Sequence, residues 1–240
     1  MSLFEASEEA NRRRAQPLAA RMRPRLLDEF VGQQHFLGEG KLLRRLLKAD
    51  RLGSVIFYGP PGTGKTTLAQ LLARETRSRF RQISAVTSGV KELRELLTEA
   101  ADKLATSAQR TLLFVDEIHR FNRAQQDVLL PDVEQGVVIL VGATTENPFI
   151  AINSALVSRS RVFQLKSLTE DDIVTILNRA LDDTQRGLGT EPIRLTDDAA
   201  RHIAHVSGGD ARSALNALEL AVKTTPPGPG GAILIDLDVA

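Results

Sequence analysis

The chain has 240 residues, of which 42% are hydrophobic and 25% charged, and a net charge of +1. That allows one large globular domain or two small ones with a buried core, and the balance of charge does not announce a nucleic-acid binder. The absence of cysteine excludes disulfides and thiol-rich metal sites, and no apolar run approaches the length of a membrane helix. Glu5, Glu8 and Glu9 stand where a signal peptide would be apolar. The expectation is a soluble, intracellular protein.

Residues 1–16 read as a polar, flexible arm, with Arg12, Arg13, Arg14, Arg21, Arg23 and Arg25 crowding the N-terminal side. From 17 to 40 the chain is irregular, punctuated by Pro24, Gly32, Gly38 and Gly40. Leu42, Leu43, Leu46 and Leu47 form an apolar stripe on a short helix. A strand at 54–58 then runs into Gly59-Pro60-Pro61-Gly62-Thr63-Gly64-Lys65-Thr66-Thr67, followed by a helix to about residue 76. This is the G-x-x-x-x-G-K-[ST] pattern in its strand–loop–helix context. The bare alternative, a Gly/Pro-rich surface turn, leaves that context unexplained. Glycines let the backbone N–H groups converge on phosphates, and the helix N-terminus adds a positive dipole end. Lys65 supplies a charge near the β- and γ-phosphates, and the Thr66 hydroxyl suits Mg²⁺.

A short strand at 80–83, a one-faced helix over about 89–106 and a continuous apolar strand at 111–115 follow. A helix near 122–134 should end or kink at Pro131. Apolar runs at 137–141 and 162–165 complete the strands; helices at about 169–182, 196–206 and 211–223 come next, the first two with Thr169 and Thr196 as N-caps. Continuous apolar strands alternating with helices indicate a parallel sheet covered on both faces. The expected architecture is an α/β nucleotide-binding domain over 17–166, an all-helical lid over 167–225, and a Pro/Gly linker and tail over 226–240.

The strand at 111–115 ends in Asp116 and Glu117. Adjacent carboxylates at the end of a buried strand suggest a cation and a water to manage. Asp116 suits the Mg²⁺ that bridges the phosphates, and Glu117 can orient or deprotonate an attacking water. Asp116-Glu117-Ile118-His119 also invites a two-motor helicase reading, but the roughly 75 residues after the sheet are too few for a second motor domain. For His119 the readings are a proton relay, a DNA contact and packing on a helix start, the last favoured; His35, His202 and His205 have no metal-ligand spacing.

The chain resembles an AAA+ ATPase of the clamp-loader group, and within it the replication-associated recombination protein A family, whose eukaryotic relatives are the Werner-helicase-interacting ATPases. Beyond the phosphate loop, the resemblance is carried by residues 17–24, 27–33, Asp116-Glu117-Ile118-His119-Arg120-Phe121-Asn122, Gly142-Ala143-Thr144-Thr145-Glu146-Asn147-Pro148, Ser158-Arg159-Ser160-Arg161 and Gly208-Gly209-Asp210-Ala211-Arg212. It implies an Mg²⁺-dependent ATPase acting on DNA in replication-fork maintenance, recombination and repair. The alternatives are an ATP-gated switch with little turnover and a clamp-loader subunit. It also implies a first sensor at Thr144 after its strand, an arginine finger at Arg159 rather than Arg161, a second sensor at Arg212 and an adenine contact around Val31 and Gly32. Single-stranded, gapped or forked DNA and replication proteins such as single-strand-binding protein are the implied partners, at a cytoplasmic, nucleoid-associated location. Members carry a further C-terminal region that assembles them into homo-oligomers, which residues 232–240 are too few to supply. The expectation is therefore an ATPase core, largely monomeric in dilute solution.

Overall fold

The structure, a computed structural model, describes residues 15–240. Most of the expected arm, including Arg12, Arg13 and Arg14, lies outside the described residues. The chain divides into two compact units, Gln33–Lys166 and a second made of the residues up to Gly32 with Ser167–Ala240. The described chain opens with α1 (Leu18–Arg21) and a 3-10 turn at Leu27–Glu29, both in the second unit.

The α/β unit begins with two short helices, α2 (Gln34–Leu37) and α3 (Leu42–Lys48). Of the leucine stripe, Leu43 is buried while Leu42 stays 47% exposed. Five parallel strands follow: β1 (Val55–Tyr58), β2 (Arg79–Ser84), β3 (Thr111–Asp116), β4 (Val138–Thr144) and β5 (Arg161–Gln164). Their order across the sheet is β2-β3-β4-β1-β5. The central strands β1, β3 and β4 are buried almost throughout, as continuous apolar runs in a doubly covered sheet must be. On the edge, β2 is only partly buried, and its Arg79 and Arg81 both pair with Glu99 of α5 (Val90–Ser107). Leu93, Leu97 and Ala100 turn one face of α5 into the core beside Leu113, Val115 and Leu140.

Pro131 does not end its helix; α6 (Arg123–Glu134) runs through it. The proline removes one donor near the end, but the helix is fixed at its start by a reciprocal cap. Asn122 and Gln125 exchange side-chain-to-backbone hydrogen bonds of 2.9 Å each. Termination comes only at Gly136, at φ 70°, where the Val137 N–H returns to the Asp132 carbonyl at 2.9 Å.

The second unit is helical but not all-helical. Besides α1, its helices are α9 (Glu170–Asp182), α10 (Asp197–Val206) and α11 (Ala211–Thr224), following α7 (Pro148–Ala151) and α8 (Ser154–Ser158) of the α/β unit in sequence. Thr169 caps α9 in a reciprocal pair with Asp172, and Thr196 caps α10 through the Ala199 N–H. Between and after them β6 (Ile193–Leu195) and β7 (Ile233–Ile235) pair in parallel. Part of the expected 226–240 tail is thus a packed strand, with Ile235 fully buried beside Leu215 and Leu218. Three-residue strands are too short to show a period of two, which is why the sequence conceals them.

The domain boundary also differs from the expected one at residue 17. Leu18 is fully buried in the helical core with Leu177 and Leu218, and its N–H donates to Glu219 Oε2 at 2.8 Å. Arg21 donates to the Gly187 carbonyl at 3.2 Å, and Arg179 to the Glu29 carbonyl at 2.7 Å. These side chains tie the N-terminal segment to the helices rather than to the sheet. Among the described residues no helix is long and apolar enough to cross a membrane.

Candidate active site

The loops after β1, β3 and β4 lie at the carboxyl ends of adjacent parallel strands, the place where open α/β sheets bind ligands. With strands about 4.8 Å apart, the residues leaving β4 and β3 sit one and two strand spacings from the phosphate loop. Tyr58 is in register with Thr144, and the Gly59 N–H donates to the Thr144 carbonyl at 3.1 Å.

The loop's shape depends on glycine. Gly59 adopts φ 149°, and a Cβ there would lie 2.1 Å from the Leu165 carbonyl oxygen. Gly62 and Gly64 have φ of 69° and 97°, and Gly64 is the residue from which α4 (Lys65–Glu75) starts. Thr63, 2% exposed, ties the turn by donating from Oγ1 to the Pro60 carbonyl at 2.9 Å. Pro60 and Pro61 are on the outside; Thr66 and Thr67 are half-buried on the first turn of α4. The first N–H groups of a helix have no intrahelical partner, so this turn presents donors. Lys65 is buried, its Nζ donating to the Gly59 and Pro60 carbonyls at 2.7 Å each. The ammonium is therefore folded over the same curl of backbone.

Asp116 closes β3 and Glu117 follows it in the left-handed region, φ 53° and ψ 45°. A non-glycine residue in that conformation is strained by about 1–3 kcal/mol, a feature that clusters at functional sites. The turn directs the chain into a 3-10 segment at Ile118–Arg120, whose Ile118 is fully buried. Thr144 does not follow its strand but is its last residue, fully buried. Its Oγ1 accepts from the Glu146 N–H at 3.0 Å and lies 2.9 Å from His119 Nδ1. His119 Nε2 is 3.4 Å from Glu117 Oε2 and 3.4 Å from Glu146 Oε1. His119 thus does more than pack on a helix start, and Glu146, named in the sequence only as part of the 142–148 segment, has no role assigned there. Each is the second residue beyond a site residue, Glu117 and Thr144, and that spacing was the available signal.

Arg159 is placed differently. It caps α8 and precedes β5, at the end of the sheet opposite the phosphate loop, because β5 runs parallel to β1. Its side chain is exposed, with Nε 2.6 Å from Glu134 Oε1 and a donor on the Ala155 carbonyl at 3.0 Å. Arg161 begins β5 itself, in register with Val55.

Arg212, Val31 and Gly32 belong to the helical unit. Arg212 is exposed in the first turn of α11, where the Asp210 carboxylate accepts its N–H at 2.8 Å. Val31 and Gly32 follow the turn at Leu27–Glu29, whose Glu29 accepts from Arg186 at 2.9 Å and from the Arg25 N–H at 3.0 Å. Burial pushes the Glu29 carboxyl up, but these donors outweigh it and hold it below its ordinary value. Among the described residues no cluster of three or more His, Cys, Asp and Glu side chains forms a metal site.

Comparisons with known proteins place the chain in a family and agree on the fold. Residues 22–159 match the model of the Holliday junction DNA helicase RuvB P-loop domain, and residues 189–240 that of the AAA C-terminal domain. The Thermotoga maritima RuvB Holliday junction branch migration motor superposes with a TM-score of 0.72 at 30% identity, covering 91% of this chain and 70% of that one. The replication-associated recombination protein A of Escherichia coli K12 is 54% identical over 205 residues, 85% of this chain and 46% of that protein. Its Bacillus subtilis counterpart is 46% identical over 224 residues, 93% of this chain and 52% of that one. The ATPase WRNIP1 of Dictyostelium discoideum is 44% identical over 207 residues, 86% of this chain and 23% of that one. This chain spans about half the length of the bacterial relatives. The chain belongs to the RuvB-type P-loop family of AAA+ proteins and is similar to the replication-associated recombination proteins A.

Proposed function

We propose that this chain binds and hydrolyses ATP with Mg²⁺, and that it does so in the service of DNA. One observation carries the reading: a glycine-shaped loop with a buried lysine stands beside an Asp-Glu pair and a buried threonine on neighbouring parallel strands. The donor set fits the nucleotide. Gly62 and Gly64, at φ of 69° and 97°, curl the loop into the start of α4, whose first N–H groups lack intrahelical partners and suit phosphate oxygens. Mg²⁺, when bound, neutralises charge developing on the phosphates.

Lys65 leaves its two loop carbonyls for the β- and γ-phosphates, and Thr66 and Asp116 hold the metal. Glu117 accepts a proton from the attacking water, and Thr144 orients that water. Arg159, remote from its own loop, serves a neighbouring copy's site as an arginine finger, its planar fork matching phosphoryl oxygens. Arg212 senses the γ-phosphate, and the segment at Val31 and Gly32 packs on adenine. These roles follow the family pattern residue by residue.

The names of the relatives support action at replication forks or recombination intermediates, with single-stranded, gapped or forked DNA and replication proteins such as single-strand-binding protein as partners, in the cytoplasm with the nucleoid. Phosphate release measured alone and with single-stranded, duplex, gapped and forked DNA tests the reading. ATP turnover raised by one DNA class is expected. Nucleotide binding without turnover under every condition would instead favour an ATP-gated switch.

A further inference from the structure

This inference deepens the ATPase reading and rests on it. The side chain of His119 is only 6% exposed, and both of its ring nitrogens face residues of the site. Nδ1 lies 2.9 Å from Thr144 Oγ1, while Nε2 lies 3.4 Å from Glu117 Oε2 and 3.4 Å from Glu146 Oε1. An ionised carboxylate can only accept a hydrogen bond. Two of them facing Nε2 place the proton on that nitrogen. In the neutral ring Nδ1 is then the acceptor, so the Thr144 hydroxyl donates to it. Thr144 Oγ1 also receives the Glu146 N–H at 3.0 Å, which leaves it one lone pair.

Two consequences follow for the reaction. With the ring neutral, the hydroxyl at the end of β4 offers an acceptor, not a donor, to the attacking water. The Glu117 carboxylate, carried on a left-handed residue between β3 and the 3-10 turn, faces His119 Nε2. At 3.4 Å the contacts to Glu117 and Glu146 are longer than a good hydrogen bond, so they steer the carboxylate without locking it. We propose that His119 is a positioning residue: one buried ring orients both the general base Glu117 and the hydroxyl of Thr144. A histidine that merely filled space under the turn would not need both nitrogens on these groups.

The test separates the two edges of the ring. In His119→Gln the amide reaches about as far as Nε2 and keeps a donor toward Glu117. In His119→Asn it reaches about as far as Nδ1 and keeps only the partner of Thr144. Phosphate release, affinity for a fluorescent ATP analogue and melting temperature are measured for both variants and the wild type. His119→Asn is expected to lower kcat by about 10²-fold, as for a misplaced catalytic group, with nucleotide affinity and melting temperature close to wild type. His119→Gln should recover a substantial part of that loss. An unchanged kcat in His119→Asn, or a loss that follows falling affinity or melting temperature, would each overturn the proposal. Absence of turnover in the wild type would instead strike the ATPase reading, before the variants are compared.

Discussion

The phosphate loop makes a quantitative demand on stability through Gly59→Ala. A Cβ at this position would stand 2.1 Å from the Leu165 carbonyl oxygen, where ordinary contact begins near 3.4 Å. The loop and the end of β5 must separate by roughly 1 Å, against the hydrogen bond of 2.8 Å from the Leu165 N–H to the Tyr58 carbonyl. The left-handed φ of 149° adds backbone strain. Strain of about 1–3 kcal/mol and overpacking of about 1–3 kcal/mol together give a destabilisation of about 2–6 kcal/mol. For a chain of this size that is a fall in melting temperature of roughly 5–20 °C. Gly136→Ala is the control: φ is 70°, but nothing lies within 4 Å of the added carbon, so only strain of about 1–2 kcal/mol remains. Thermal unfolding followed by circular dichroism compares the two. A Gly59→Ala protein that melts with the wild type, or no lower than Gly136→Ala, would refute the packing argument for this loop.

Other expectations are open to equally direct measurement. Asp116→Asn should weaken Mg²⁺ dependence, so that half-maximal turnover needs more metal, while ATP affinity measured without metal stays near wild type; titration of the rate with Mg²⁺ decides. Because Arg159 lies at the sheet end opposite its own loop, mixing Arg159→Ala with Lys65→Ala should restore activity that neither has alone, and no gain on mixing would contradict a finger acting between copies. In the helical unit, burial pushes Glu219 up, but Lys223, the Leu18 N–H and Arg21 outweigh it and hold its carboxyl below 4.5. A depressed carboxyl contributes stability above its unfolded value and loses it as pH falls through the folded value. The melting temperature should therefore drop as pH is lowered through about 4 and below, and Glu219→Gln should flatten that drop while lowering stability at neutral pH.

Much of the α/β unit was legible because its signals are long. β3 and β4 are uninterrupted apolar runs, α5 keeps a regular buried face, and the glycine loop has a fixed spacing. Thr169 and Thr196 act as the helix caps their positions implied. What stayed hidden depends on partners distant in sequence. Leu18 reads as irregular chain until Glu219, two hundred residues on, accepts its N–H. β6 and β7 are three residues each and exist through one another. Pro131 broke a local rule, yet the Asn122–Gln125 cap and the packing of Leu129 keep α6 whole. At the site, the residue types and spacing of Lys65, Asp116 and Glu117 were what suggested the roles proposed for them. The bond from Thr144 to His119 is a cross-strand contact that no linear pattern encodes.

On the reading proposed here, the glycine loop, Lys65 and Glu117 make an ATP-hydrolysing site. Its most direct test measures ATP binding and phosphate release on the same preparations of wild type, Lys65→Ala and Glu117→Gln. The expected result is turnover in the wild type, loss of ATP binding or turnover in Lys65→Ala, and ATP bound but retained unhydrolysed in Glu117→Gln. Removal of one general base typically lowers a rate by about 10²–10⁴-fold, so the retained complex should be long-lived. Turnover in Lys65→Ala equal to wild type, or a Glu117→Gln protein that hydrolyses ATP as fast as the wild type, would contradict the account.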